Sequence, residues 1–421
     1  MVKKTVLDNG VRIFSEKMSE VRSVSLGIWV SVGSRHDMAG AAGIAHFTEH
    51  MLFKGTQKRS ALQIAKEIDA LGGVLNAQTA KEYTVYYARV LDEHLDKAAD
   101  ILFDLFLNSE INPDELEKEK KVVLQEIRMT EDTPDDYITD LFAEAVFEGS
   151  PLGAPILGTI DEVSAFERKS VVDFMTALYR PSSIIISAVG NLDHDKLVEL
   201  AEQRFSGIRS EPMPINDPGC RALMTGKTKV FNKDIEQVHI SLGTHGASML
   251  DDSRWTYIVL NTILGGSMSS MLFQEAREKL GLVYSIYSYL SSYKDCGVLA
   301  MYAATTPKYV AETMDVIGKQ MTKLKNADFG GISLDDVKTQ IKGNLLLARE
   351  STVNRMSSLA KNEIYYAREV EVDEVIEKIQ GVREGDVISL AGEIFDHTKI
   401  TLVTLGKMDE KEIGACLPIP S

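Results

Sequence analysis

Apolar and polar positions alternate from Val24 to Val32, the period-two pattern of a strand. Just upstream, Leu7-Asp8-Asn9-Gly10-Val11 carries a hairpin-turn signal, and the run Ile184-Ile185-Ile186-Ser187-Ala188-Val189 fits a buried strand. Helical signals fall between these strands. Residues 60–71 open on a serine cap and stop at Gly72-Gly73, and 93–107 and 113 to about 129 read as two further helices. Residues 74–90 are rich in Thr, Tyr and Val and read as extended chain. This order is neither a regular strand–helix alternation nor all strand. It predicts an α+β fold with a largely antiparallel sheet flanked by helices.

The pattern occurs twice. Val24-Ser25-Leu26-Gly27 returns as Ile240-Ser241-Leu242-Gly243, an offset of 216 positions. The same offset relates Gly10 to Gly226, and Ser187-Ala188-Val189-Gly190-Asn191-Leu192-Asp193 to Val403-Thr404-Leu405-Gly406-Lys407-Met408-Asp409. A constant offset at the start and end of each half implies a duplicated domain of ordinary size. Between the halves, residues 211–219 hold three prolines and no periodicity. The expected division is a first domain at 1–214, a linker at 211–221 and a homologous second domain at 222–421.

Composition narrows the function class. The chain has 421 residues, 44% of them hydrophobic and 26% charged, as in an ordinary globular protein. A net charge of −16 argues against nucleic acid and anionic membranes as partners. No apolar run reaches membrane-spanning length, so membrane insertion is not expected. Three scattered cysteines, Cys220, Cys296 and Cys416, have no metal-site spacing and suit a reducing compartment. The chain enters strand-like sequence directly after Met1-Val2-Lys3-Lys4, without a leader pattern, and a cytoplasmic location is expected.

The chemistry concentrates in His46-Phe47-Thr48-Glu49-His50, placed on a helix expected to end at Gly55. On a helix, His46 and His50 stack one turn apart and can hold one metal ion, while Glu49 leans over the same face as a candidate base. A catalytic zinc site needs a third protein ligand and an open position. The helix opening at Asn112-Pro113 offers Glu119 and Glu126, seven residues apart and nearly on one face. Glu126 lies among Val122, Val123, Leu124 and Ile127, which are expected to hold it against the core, where a carboxylate needs a cation. Glu119 is about 10 Å further along the axis. Spacing alone does not single out Glu126 among so many acids.

His46 to Thr56, reading HFTEHMLFKGT, closely resembles the motif of the M16 (pitrilysin-type, inverted-zincin) metallopeptidases, nearest to the mitochondrial processing peptidase β-subunit and its bacterial homologues. The resemblance spans nearly the whole chain. It implies a zinc endopeptidase acting on unfolded or presequence-like peptides, with two homologous domains closing as a clam-shell and one Zn²⁺ per chain. It implies Glu126 as third ligand beside His46 and His50, Glu49 as base and Glu119 as accessory glutamate. Asn76 and Ala77 match a strand edge that binds substrate backbone. Arg277 and Tyr284 match a second-half pair that serves the active site, and both are suitable oxyanion donors. At the 216 offset, Thr262, Gly265 and Gly266 replace His46, Glu49 and His50, so the second half carries no metal motif.

Asp136, Asp140, Glu144 and Glu148 form an acidic stripe after Thr133-Pro134. A solvated helix face is the plain reading of such a stripe. The resemblance instead matches Asp136 and Asp140 to positions that recognise an arginine just before the cleavage site. Relatives of this length imply a homodimer. The alternative function is a non-catalytic scaffold or peptide-binding module of the same fold, like the core subunits of the respiratory bc1 complex.

Overall fold

The computed structural model describes residues 1–208, 219, 220, 222, 224 and 226–408, so most of the expected linker at 211–221 lies outside the described residues. The chain packs as two compact units. The first comprises Met1–Met129, Ala154–Pro218 and Leu347–Glu369; the second comprises Thr130–Gly153, Gly219–Leu346 and Val370–Ser421.

In the first unit, strands β1 (Val2–Val6), β2 (Arg12–Lys17), β3 (Ser23–Val30), β4 (Val74–Thr79), β5 (Thr84–Leu91) and β6 (Ile184–Gly190) form a sheet in the order β1-β2-β6-β3-β5-β4. Only β2 and β6 run parallel; the other neighbours are antiparallel. Alternation on β3 sends Val24, Leu26, Ile28 and Val30 into the main core with helices α1 (Ile44–Leu52), α2 (Ala61–Ala70), α3 (Leu95–Asn108) and α4 (Pro113–Asp132). Strand β4 is an edge. Its Asn76 and Ala77 pair with Tyr87 and Tyr86 of β5 on one side, and no strand flanks the other side among the described residues.

The second unit repeats the plan. Strands β7 (Thr228–Asn232), β8 (Val238–Gly246), β9 (Val283–Ser292), β10 (Gly297–Thr305) and β11 (Thr401–Gly406) are ordered β7-β11-β8-β10-β9. Among the described residues the one parallel pair is β7 with β11, the counterpart of β2 with β6, and here it is the outer one because no strand corresponds to β1. Strand for strand this matches β2-β6-β3-β5-β4, so the duplication read from the sequence is also a duplication of topology.

Packing does not follow chain order throughout. Helix α5 (Pro134–Val146) covers one face of β11 and β8 in the second unit. The helix Thr352–Tyr366 covers the corresponding face of β6 and β3 in the first. Each unit thus takes its cover from the other half of the sequence, and the chain-order domains 1–214 and 222–421 would each leave an apolar sheet face bare. The repeated Ser-Leu-Gly makes room for these helices. A Cβ built on Gly243 would lie 2.3 Å from Cζ of Phe142 on α5, and one on Gly27 would lie 3.0 Å from Sδ of Met356. The Ser25 and Thr352 hydroxyls meet at 2.8 Å beside that second contact.

Some expected boundaries shift. Helix α1 ends at Leu52, before Gly55, because the Phe53 and Lys54 N–H groups turn back to the His50 and Met51 carbonyls. Val122 on α4 is 44% exposed, and Val123 and Ile127 carry the contact with the core instead. Helix α5 ends at Val146, which leaves Glu148 beyond it.

Gly243→Ala should destabilise the chain by about 1–3 kcal/mol, because the packed Phe142 ring must move. Gly27→Ala should cost less, since its closest contacts, Nε1 of Trp29 at 2.9 Å and the flexible Met356 thioether at 3.0 Å, are milder than the overlap with Phe142. Urea unfolding of the two variants tests the contrast, and equal losses would remove the close-approach explanation.

Candidate metal centre

Helix α1 divides its nine residues between two jobs. Ile44, Ala45, Phe47, Thr48, Met51 and Leu52 are buried, while His46, Glu49 and His50 are half-buried on the remaining stripe. The start of the helix is fixed by carboxylates. The Gly43 and Ala45 N–H groups donate to Asp37 at 2.7 and 3.1 Å, and the Ala42 N–H donates to Glu162 at 3.1 Å. Burial pushes the Asp37 carboxyl up to about 7, against the pull of those two N–H donors.

The two imidazoles converge, with Nε2 of His46 and Nε2 of His50 3.2 Å apart. Oε2 of Glu126 on α4 lies 3.6 Å from the His50 Nε2 and 4.0 Å from the His46 Nε2. Among the described residues this is the cluster able to hold a metal ion. Two imidazole nitrogens and a carboxylate oxygen are the donor set of a catalytic zinc site, and ligands on tetrahedral zinc sit about 3.4 Å apart. The residues therefore fit the ion. Protonation states fit as well. Burial, with His50 beside it, pushes His46 down to about 3 and keeps its ring neutral, as a ligand must be.

Glu119, one heptad before Glu126, does not face this convergence point. Its Oε1 lies 2.8 Å from Nδ1 of His50, on the far side of that ring. Burial raises the Glu119 carboxyl, but hydrogen bonds from His50 and Lys54 outweigh it and hold the group below its usual range. The placement is that of a carboxylate fixing the tautomer of a ligating imidazole, with Nδ1–H donating and the Nε2 lone pair left for the metal. For His50 itself burial favours the neutral ring, and its hydrogen bond with Glu119 and the charge of Glu126 shift it upward overall.

Glu49 accepts a hydrogen bond from the Thr79 hydroxyl at the end of β4. Burial raises its carboxyl and the Thr79 bond opposes that rise. Thr79 shares its strand face with Leu75 and Ala77 by the two-residue period of β4, so the edge carrying Asn76 and Ala77 also anchors Glu49. Sequence reading missed Asp37, Thr79 and Lys54. The strand period could have pointed to Thr79, whereas Asp37 lies six residues before the backbone it caps and gives no local signal.

The remaining expected site residues belong to the second unit. Arg277 lies in the wide turn of helix Phe273–Lys279, its guanidinium 5.6 Å from the ring centre of Tyr284 and 4.9 Å from that of Phe273. Tyr284 is 76% exposed at the start of β9. Asp136 and Asp140 stand one turn apart on α5, Asp136 exposed and Asp140 half-buried. The far end of the acidic stripe is ion-paired, Glu144 with Lys229 at 4.0 Å and Glu148 with Lys227.

Family models match the chain in two blocks: residues 12–160 to Insulinase (Peptidase family M16), and residues 165–341 to the Peptidase M16 inactive domain. The chain belongs to peptidase family M16. It is 40% identical over 403 residues to an uncharacterized zinc protease of Bacillus subtilis, covering 94% of this chain and 96% of that one. Another, from Streptomyces coelicolor, is 38% identical over 417 residues, 98% of this chain and 91% of the relative. The fold is shared with a Helicobacter pylori protease (TM-score 0.89, 23% identity, 96% of this chain and 99% of that one). It is shared too with a chain of Candida albicans complex III (TM-score 0.84, 21% identity, 99% of this chain and all of that one). The M16 model for the second block is the one described as inactive, and among the described residues of that block no His/Cys/Asp/Glu group could hold a metal.

Asp37→Ala would leave two N–H groups at the start of the M16 metal helix without their acceptor. It should lower unfolding stability by about 1–2 kcal/mol, the scale of a lost helix cap, as read by denaturant titration of the metal-free protein. An unchanged midpoint would show that other contacts fix α1.

Proposed function

We propose that this M16 chain is a zinc-dependent endopeptidase that hydrolyses extended, unfolded peptides. The observation that carries the reading is the convergence of His46 Nε2, His50 Nε2 and the Glu126 carboxylate on one point, with Glu49 beside it and free of ligand duty. When bound, zinc polarises the scissile carbonyl and makes water a stronger nucleophile near neutral pH. Glu49 then acts as general base, taking the proton of the attacking water and passing it to the leaving amine. Its raised proton affinity suits that exchange, and Thr79 keeps the carboxylate turned toward the site. Glu119 holds His50 in one tautomer and acts as a positioning residue, not a proton carrier.

The flank of β4 not paired to β5 supports binding of a peptide as an added strand at Asn76 and Ala77, a mode that uses backbone hydrogen bonds and makes little demand on sequence. The Arg277 guanidinium and Tyr284 hydroxyl are taken as donors to the oxyanion of the tetrahedral intermediate. Selection among peptides then falls to side-chain contacts, and Asp136 and Asp140 are taken to favour arginine shortly before the scissile bond. Asp136 is exposed and Asp140 half-buried one turn further along α5, which puts both carboxylates on one helix flank.

Glu49→Gln should retain about one zinc per chain and lose peptide hydrolysis by two or more orders of magnitude, the scale of a lost general base. Metal analysis alongside a fluorogenic peptide assay decides this, and full activity in a zinc-loaded variant would overturn the assignment. The double variant Asp136→Asn/Asp140→Asn should raise KM for peptides with arginine before the cleaved bond and spare neutral peptides. The wild-type preference should weaken with added salt, since the carboxylates are partly exposed. Equal effects on both peptide classes would make the stripe a solvated face only.

A further inference from the structure

Glu119 divides its two oxygens between different partners. Oε1 meets Nδ1 of His50 at 2.8 Å, and Oε2 meets Nζ of Lys54 at 2.6 Å. The Glu119 side chain is only 5% exposed and that of Lys54 27%, so the pair stands at the inner edge of the site and not in bulk water. A nearly buried carboxylate is costly without a cation. His50 cannot supply one while it acts as a ligand, because a ligating imidazole is neutral. The charge partner left to Glu119 in that state is Lys54.

The local chain explains how Lys54 gets there. It lies one helical turn after His50, just past the last residue of α1, and its N–H returns to the Met51 carbonyl. A side chain at i+4 from His50 projects along the same flank of the helix, toward α4. Its positive charge at a helix C-terminus is also favourable.

We propose that Lys54 is a positioning residue of the metal centre: it engages Oε2 of Glu119, so that Oε1 is presented to His50 and the Nε2 lone pair of His50 is aimed at the metal. The ammonium also keeps Glu119 from turning toward the metal in competition with Glu126. Lys54 touches neither substrate nor the reacting atoms, and its effect appears first in metal affinity. The inference rests on the zinc site proposed above.

The test measures zinc dissociation constants by chelator competition on the full chain, for wild type, K54M, K54R, E119Q and the double variant K54M/E119Q. K54M should bind zinc about tenfold more weakly, the lower end of the effect of removing outer groups around a metal ligand. K54R should restore most of the affinity, since it keeps the cation. K54M/E119Q should bind no more weakly than E119Q alone, because Lys54 acts only through Glu119. Unfolding midpoints of the metal-free proteins establish that the variants are folded; should K54M fail that check, K54Q takes its place in the same comparison. Wild-type affinity in K54M, or a K54M loss that adds in full to that of E119Q, would overturn the role of Lys54 while leaving the zinc site standing. A wild-type chain that takes up no zinc would overturn the proposed function itself, and this inference with it.

Discussion

Helix α1 has to present an apolar stripe to the core and a chemical stripe to the site within nine residues, and the first unit is arranged around holding that rotation. A rotation by one residue, about 100°, would carry His46 into the core and bring Phe47 to the site. Core packing resists this from one side, through Phe47, Met51 and Leu52. Carboxylates resist it from the other: Asp37 and Glu162 at the start of the helix, Glu119 and Glu126 facing the imidazoles from α4. Several of these acids are largely buried, and each is matched to a backbone N–H, a hydroxyl, an imidazole or a lysine. Such matching is what makes buried charge tolerable.

The two sheets share one topology but not one chemistry. In the first unit, the helix placed against the sheet carries the candidate metal ligands His46 and His50, and the edge strand β4 ends at Thr79, which donates to Glu49. In the second, the equivalent offset places threonine and glycines at those positions, and the equivalent edge strand β9 (from Val283) carries the exposed Tyr284 as its second residue. The exchange of α5 and the Thr352–Tyr366 helix gives a physical reason for the two halves to remain one chain. Each sheet needs a helix from the other half to cover its second face.

Charge is unevenly used. The chain carries 62 acidic residues against 46 basic ones, an excess that by itself would scatter carboxylates over the surface. At the metal centre the acids work in pairs with specific donors. On α5 the far end of the stripe meets lysines, because β7 and its approach bring Lys229 to Glu144 and Lys227 to Glu148. A periodic pattern of acids records which face of a helix they share. It does not record which partner each of them meets.

The fold class was legible in the sequence because periodicity and turn residues are local: the period-two run at β3, the cap at Ser60 and the glycines after α2 each act within a few residues. The duplication was legible because a constant offset survives sequence drift. So was the pair His46 and His50, since helix geometry alone brings i and i+4 together. Glu126 was narrowed by spacing and chosen by resemblance, because a ligand on another helix is joined to the motif only through packing. Tertiary structure alone decided the rest. It set Asp37 under the start of α1, Thr79 against Glu49, and Lys54 on the oxygen of Glu119 that His50 leaves free. It also decided which half of the chain covers which sheet, since an apolar face specifies that it must be covered and carries no record of which helix will do it.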